Sequence, residues 1–99
     1  KIVMNINGTN NYNLEASDAG KAVVSSADII VPNAIFSAGD AITVINSAGS
    51  NMAVTQGSNV TMYNTADGST GNRTLAGKGM ATIYFTGSST AYISGAGLT

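Results

Sequence analysis

The segment NLEASDAGKAVVSS, residues 13–26, holds the residues that most suggest chemistry in this chain. It contains Glu15, Asp18 and Lys21, three of the nine charged residues (four Lys and Arg plus five Asp and Glu). These residue types allow three interpretations: a phosphate-binding loop around Gly20-Lys21, an acid/base pair of Glu15 and Asp18, or a turn between strands. The choice among them decides whether the protein carries out a reaction.

The phosphate-loop interpretation fails on spacing. A loop of the Walker type needs a glycine five residues before its Gly-Lys pair and a Ser or Thr immediately after it. This chain has Glu15 and Ala22 at those two positions. The residues that follow, AVVSS, are typical of a strand, whereas a phosphate loop leads into a helix. We therefore expect no nucleotide and no other cofactor at this segment.

The acid/base interpretation lacks partners. The chain has no His and no Cys, and nothing near Glu15 or Asp18 supplies a nucleophile or an apolar pocket that would raise a carboxyl pKa. A turn is the remaining interpretation, in which Ser17 and Asp18 cap nearby backbone groups and Gly20 takes a positive φ. Lys21 then begins the next strand and pairs at the surface with Asp18 or Glu15. We expect no enzyme activity, no catalytic residues and no metal site.

Composition narrows the class of protein further. The 99 residues fit one domain, and only 9% of them are charged, against about 25% in an ordinary domain. A formal net charge of −1 gives no electrostatic reason to bind nucleic acid or an anionic membrane surface. No apolar run approaches the roughly 20 residues that span a bilayer. We therefore expect neither a nucleic-acid partner nor membrane insertion.

The element pattern predicts an all-β fold. Short or alternating apolar runs are separated by clusters of Gly, Asn, Asp and Ser, as in a sandwich or barrel. The segment VPNAIFSAGD is the exception, because Pro32 fixes φ and removes a donor, so we expect a loop there. We predict a small sandwich- or barrel-like meander of short antiparallel strands in a single domain over residues 1–99. Residues 1–11 are a candidate N-terminal arm or docking strand.

The two faces of these strands differ in composition. One parity is an ordinary β core, and the other is rich in Thr and Tyr and almost uncharged. That second parity either consists of normal exposed strand residues or binds another sheet, a symmetry mate or a sugar. The predicted core is Ile42, Val44, Met52, Val54, Val60, Met62, Ala81, Ile83, Phe85, Ala91 and Ile93, and the second parity is Thr43, Ile45, Thr61, Tyr63, Thr82, Tyr84 and Tyr92.

The chain also resembles a β-rich domain of virion proteins in tailed bacteriophages, including phages of marine cyanobacteria. The segments that carry the resemblance are NYNLEASDAGKAVV, IIVPNAIFSAGDAITVINSAGSNMAVTQGSNVTMY, TGNRTLAGKGMATIYFTG and YISGAGLT, which cover roughly residues 12–99. Such domains occur in tail fibres, spikes and head-surface proteins, often as assembly modules, and the resemblance implies no catalytic residues. It implies turn roles for Asp18, Gly20, Gly39 and Asp40, and core roles for Phe36, Ile42, Val44 and Leu75.

Two further features concern the loop NTADGSTGN, residues 64–72, and the only arginine. Asp67 lies among several oxygen donors that suit Ca²⁺, but one carboxylate is too few for a tight site, so a solvated hairpin loop is the favoured interpretation. Arg73 suits either a bidentate contact across an interface or an ordinary surface position at a strand start. The candidate interface residues are Ile45, Tyr63, Arg73, Tyr84 and Tyr92.

The function expected from these observations is a non-enzymatic structural protein on the virion exterior, on the capsid surface or the tail. A capsid-decoration or cement protein is preferred, and a receptor-binding terminal domain of a tail fibre or spike is the second version. A carbohydrate-binding module that stacks sugars on its tyrosines is the alternative from another class. The expected partners are further copies of the chain in a homotrimer, the major capsid protein or another virion protein, and a host surface glycan.

Overall fold

A computed structural model of the protein describes residues 3–6 and 10–99. The described chain is mostly strand, which confirms the all-β prediction. The 3₁₀ turn Ala16–Asp18 is the only helical element within these ranges. The strands are β1 (Met4–Ile6), β2 (Tyr12–Asn13), β3 (Ala22–Ser25), β4 (Ile29–Val31), β5 (Ala41–Asn46), β6 (Met52–Gln56), β7 (Thr61–Asn64), β8 (Arg73–Gly87) and β9 (Thr90–Leu98).

The first six strands form three sequence-consecutive pairs, β1 with β2, β3 with β4 and β5 with β6, and these pairs lie side by side in the sheet. A short bend separates β3 from β4 and β5 from β6, and β1 and β2 lie beside β3 and β4, which lie beside β5 and β6. All four contacts between these pairs are parallel: β1 with β3, β3 with β5, β2 with β4, and β4 with β6. A parallel arrangement needs the chain to return after each pair, and residues 14–21 and 32–40 provide the two returns.

The long strand β8 joins the two halves of this arrangement. Its residues 80–84 pair antiparallel with β5, and its residues 73–75 pair antiparallel with β6. Its other edge pairs antiparallel with β9, which in turn pairs parallel with β7. The result is a curled, mixed sheet that forms a half-barrel. Strand direction therefore differs from the expected antiparallel meander, because the two returning loops bring each new strand pair alongside the previous one in the same direction.

The core fills the inside of the curl. Every residue of the predicted core is buried, which confirms that parity assignment, and the four core positions implied by the virion resemblance are buried as well. Phe36, from the loop after β4, packs on Phe85 of β8 with ring centroids 4.7 Å apart. The N-terminal half adds buried residues that the sequence did not single out: Leu14, Val23, Ile29 and Val31.

One uncharged polar side chain, that of Asn46, connects the bend between β5 and β6 to β8 by hydrogen bonds. The buried Asn46 side chain donates from Nδ2 to the carbonyl oxygens of Ser50, Leu75 and Ala76 at 2.9, 3.1 and 3.2 Å. Its Oδ1 accepts the Ala48 amide at 3.0 Å. The register of β8 shifts between Leu75 and Met80 at this point, so one asparagine satisfies the backbone groups that the irregularity leaves unpaired.

Candidate functional site

The Gly-Lys segment forms a tight turn that links β2 to β3. The 3₁₀ turn Ala16–Asp18 is followed by Gly20 at φ +75°, a left-handed conformation that glycine adopts at little cost. The Lys21 amide donates to the Asp18 carbonyl oxygen at 3.0 Å, and the Gly20 amide donates to the Ala41 carbonyl oxygen at 2.7 Å. The residues after Lys21 form β3 and not a helix. The segment therefore positions a strand and lacks the geometry of a phosphate loop.

Asp18 lies in the interior, where its carboxylate accepts three hydrogen bonds. Oδ1 accepts from Asn5 Nδ2 at 2.6 Å, and Oδ2 accepts from the Tyr12 hydroxyl and the Glu15 amide, both at 2.7 Å. The side chain is fully buried. Of the two surface ion pairs expected for Lys21, the one with Asp18 is therefore wrong, because this carboxylate is turned toward its three donors and away from solvent.

The Asp18 contacts connect β1, β2 and the 3₁₀ turn, because Asn5 and Tyr12 belong to the two strands. Burial and, after it, the hydrogen bond to Asp18 raise the pKa of the Tyr12 hydroxyl well above its ordinary value of 10.0. Tyr12 therefore stays a protonated donor at physiological pH. We interpret this cluster as a structural clamp on the N-terminal strands, since each of its donors is directed at the one carboxylate.

The second pair of expected turn residues lies between β4 and β5. Gly39 has φ +94°, and its amide donates to the Phe85 carbonyl oxygen at 2.8 Å. Asp40 Oδ2 accepts the Ser37 amide at 2.9 Å, and the Asp40 carbonyl oxygen accepts the Phe85 amide at 2.8 Å. These bonds hold the returning loop 32–40 against β8 and leave the Asp40 side chain in a backbone-capping role.

The loop that contains Asp67 is organised by its own hydrogen bonds. Asp67 Oδ1 accepts from the Ser69 hydroxyl at 2.7 Å and from the Ser69 amide at 2.9 Å. These bonds, the hydroxyl first, and the nearby Arg73 charge hold the pKa of Asp67 below its ordinary value. Arg73 donates to the Ser69 hydroxyl at 3.2 Å and to the Asn72 carbonyl oxygen at 2.8 Å. A cation at Asp67 would have to displace Ser69 beside a guanidinium.

Residues 3–6 and 10–99 contain no group of three or more His, Cys, Asp or Glu side chains that would hold a metal ion. No pocket is found in the same ranges. None of the helical structure described is long and apolar enough to cross a membrane.

A continuous uncharged surface, which we name the outer face, covers the side of the sheet turned away from the core. Residues in register on neighbouring strands point to the same side, so its side chains form rows that cross the strands. The apolar row is Ile6, Val24, Ile45, Met80 and Ala96; the small row is Ala22, Thr43, Thr82 and Ser94, with Met4 at its β1 end; and the aromatic row is Ala41, Tyr84, Tyr92 and Tyr63.

Large side chains stand exposed on both sides of the small row. Ile6 is 75% exposed and Met80 55% in the apolar row, while Tyr84 is 48% and Tyr92 40% exposed in the aromatic row. A few exposed apolar residues are normal, but a connected set of this kind marks an interaction site. The outer face is therefore the candidate functional site of this protein.

Two of the tyrosines use part of their ring surface on each other. Tyr63 of β7 and Tyr92 of β9 are in register and stack with ring centroids 5.1 Å apart and an interplanar angle of 22°. Each of these rings therefore has one face covered by its neighbour. Tyr84 of β8 lies opposite Tyr92 on the other side, so the aromatic row forms a connected ridge.

Sequence analysis found part of this site. Ile45, Tyr63, Tyr84 and Tyr92 all lie on the outer face, in two of its rows. Arg73, the fifth candidate, lies at the start of β8 opposite Val54 of β6, and its hydrogen bonds go to its own loop. The structure therefore brings four of the five candidates onto one surface and separates the arginine from them.

Sequence reasoning did not find the half of the outer face that comes from β1 and β3. Met4, Ile6 and Val24 join the site only because β3 pairs parallel with β5 and β1 pairs parallel with β3, and a parallel partner is distant in the chain. Met80 could have been found, because it continues the alternation of Thr82 and Tyr84. The signal in β1 was the alternation within KIVMNI, where Asn5 points inward and its neighbours outward.

No known protein-family model matches the chain. No curated protein matches it either.

Proposed function

We propose that the protein is a non-enzymatic structural protein of the tailed-bacteriophage virion exterior, which works by assembling through its outer face. The preferred form is a head-decoration or cement protein that binds the major capsid protein or another virion protein. The observation that carries this proposal is the outer face, a connected uncharged surface with large exposed apolar side chains. The resemblance of residues 12–99 to virion domains supports the same class.

The physical reason is the cost of leaving such a surface in water. The exposed surfaces of monomeric proteins are normally kept from associating by interspersed charged residues and by the absence of large apolar patches. The three rows of the outer face contain none of the charged residues of the chain. Burying apolar surface there is favourable by about 25 cal/mol per Å², so association is the expected behaviour of this face.

Immunogold labelling of virions purified from a lysate in which the protein is detected, followed by cryo-EM of the same particles, tests the proposal. Regular density on the head surface that fits the half-barrel is expected for a decoration protein. Label at the tail tip would replace that version with the terminal domain of a tail fibre or spike. Virions without label, from a lysate in which the protein is detected, would overturn a virion role altogether.

A carbohydrate-binding module is the second candidate, and the aromatic row is the observation that favours it. Tyrosine rings beside Thr and Ser hydroxyls provide both stacking and hydrogen bonding for a sugar. The stacking of Tyr63 on Tyr92 weakens this candidate, because it covers one face of each ring. Binding on a glycan array that is lost in Tyr84→Ala would favour this module over a cementing role, and a host surface glycan would then be the partner.

The non-enzymatic part of the proposal has its own test. The pure protein is incubated with polysaccharide from the bacterial host, and release of reducing ends is followed over time. No turnover above buffer is expected. Turnover that disappears in Asp40→Asn or Asp67→Asn would contradict the proposal, and the same two variants should otherwise affect only folding.

A further inference from the structure

We propose that the outer face packs against the outer face of another copy of this chain, with the apolar row of one copy seated in the small row of the next. This inference rests on the proposed function, in which the outer face is an assembly surface, and it names the partner of that surface. The contact is centred on β5, β8 and β9, where all three rows are present.

The outer face has a ridge and a groove whose shapes are complementary between two copies of the chain. Successive residues on one side of a strand are about 6.6 Å apart, since each residue rises about 3.3 Å. On β8 this places Met80 and Tyr84 on either side of Thr82, so a groove floored by small side chains runs between two ridges. A ridge of Ile and Met side chains on another copy matches that groove in width and in apolar character, because its own rows have the same spacing.

Two of the polar side chains in the floor of the groove are already hydrogen-bonded to each other, which lowers the cost of burying them. Thr43 of β5 and Thr82 of β8 lie opposite each other, with their hydroxyl oxygens 3.3 Å apart and hydrogen-bonded. Covering a hydroxyl that has a partner costs much less than covering one that loses its water and gains nothing. The floor therefore combines a small size with one pair of hydroxyls, those of Thr43 and Thr82, that is already hydrogen-bonded within one chain.

Charge and size favour a copy of the same chain over a partner of another kind. The outer face has no charge, so nothing on it would attract or orient an oppositely charged protein. Two uncharged faces meet without repulsion, and the chain's net charge is only −1. Five strands about 4.8 Å apart and three rows about 6.6 Å apart cover a surface on the order of 500 Å². A stable interface buries roughly 800 Å² per partner, so the outer face supplies a large part of the area that such an interface needs.

The first experiment compares two charge insertions by light scattering over a range of protein concentrations. Met80→Asp places a carboxylate in the apolar row, and we expect it to raise the concentration at which half the protein is associated at least tenfold. Ile35→Asp is the matched control, because Ile35 is also exposed, at 44%, but lies in the loop after β4. Equal effects of the two variants would overturn the proposal.

A second pair of variants separates specific packing from general stickiness. Thr82→Tyr fills the groove while adding apolar surface, so ridge-in-groove packing predicts weaker association and non-specific attraction predicts equal or stronger association. Thr74→Tyr makes the same change at an exposed position elsewhere on β8 and should behave as the wild type. Circular dichroism melting of all four variants shows whether they fold, since each substituted side chain is exposed in the single chain.

This inference and the proposed function fail separately. A wild-type protein that stays monomeric at high concentration, yet labels the virion, would overturn the copy-to-copy contact and leave the virion role in place. A wild-type protein that associates through the outer face, but is missing from the virion, would support the contact and overturn the role.

Discussion

At the scale of single residues, the uncharged polar side chains explain how the chain folds with so few charges. Asn46 satisfies the irregular part of β8 through the carbonyl oxygens of Leu75 and Ala76. Gln56 Oε1 accepts the Met62 amide, and Asn72 Oδ1 accepts the Gln56 amide, both at 2.8 Å. Such side chains complete backbone hydrogen bonding where strands bend or end, which accounts for the abundance of Asn, Ser and Thr in a domain with short strands.

Gly20 provides the first test at this scale. Gly20→Val should destabilise the protein by about 1–2 kcal/mol, because a β-branched residue is penalised at φ +75°. A Cβ atom at this position would meet no atom within 4 Å, so we assign the expected loss to the backbone. Urea denaturation measures it. Gly87→Val is the control, since a Cβ there also meets no atom within 4 Å and the residue has no left-handed φ. Lys21→Ala should change little, and an unchanged midpoint for Gly20→Val would contradict the assigned turn.

Tyr12 predicts how stability depends on pH. Its pKa is raised in the folded protein, so above the ordinary value of 10.0 the unfolded chain releases the proton while the folded chain keeps it. The stabilising contribution is therefore complete below pH 10 and is lost as the pH rises beyond it. Melting temperatures of the wild type and Tyr12→Phe between pH 8 and about pH 11 should show a steeper fall for the wild type. Parallel curves would show that Tyr12 is not held by burial and by Asp18.

At the scale of elements, the bend between β5 and β6 is fixed by one side chain. Asn46→Ala should destabilise the protein by about 3 kcal/mol, because three carbonyl oxygens and one amide lose a buried partner together. Chemical denaturation measures the loss, and Asn51→Ala, an exposed asparagine in the same bend, should cost less than about 0.5 kcal/mol. A similar small cost for both variants would mean that water replaces the Asn46 contacts.

The elements also show what could be predicted from the sequence. Strict alternation in AITVIN and MATIYF assigned the inward and outward residues of β5 and β8 correctly, because a strand with one buried face repeats every two residues. The pairs β1/β2 and β3/β4 have only two to four residues per strand, too few for alternation to register. Strand direction could not be predicted, since an apolar pattern reads the same in parallel and antiparallel neighbours.

The part of the candidate site that lies on the long strands could be predicted from the sequence. Ile45, Tyr84 and Tyr92 stood out because their strands are long enough for the second face to be read. The buried Asp18 could not be anticipated, because an acidic residue in a Gly-containing turn is normally exposed and only the distant Asn5 and the hydroxyl of Tyr12 make its burial possible. Two features could not be predicted, the burial of Asp18 and the part of the outer face that comes from β1 and β3. Both depend on contacts between residues that are far apart in the chain.

At the scale of the whole molecule, we expect a homotrimer. The association argued for the outer face gives only a closed oligomer, and the number three comes from the virion resemblance, since phage fibres, spikes and many head decorations are trimers. Light scattering should give three times the 9.9 kDa mass of the chain. Tyr84→Asp should split the assembly, at a cost of several kcal/mol, by placing an unpaired charge in the interface.

The control for Tyr84→Asp is Tyr84→Phe, which keeps the ring and should remain trimeric. A stable dimer would contradict three-fold symmetry while preserving a contact between copies. A monomer at high concentration would contradict the trimer outright, and the search for assembly would then move to the capsid surface itself.

The position of β8 in the chain has a consequence for synthesis on the ribosome. This strand is the eighth of nine strands in the described chain, yet it is the element that joins β5, β6 and β9. At about 5–20 residues per second, the ribosome needs roughly 2–6 seconds to travel from the start of β5 at Ala41 to the start of β8 at Arg73. Until then the hydrogen-bonding edges of β5 and β6 that pair with β8 have no antiparallel partner. Folding therefore has to wait for the last quarter of the chain, and the nascent protein depends on its polar bends to stay unaggregated in the meantime.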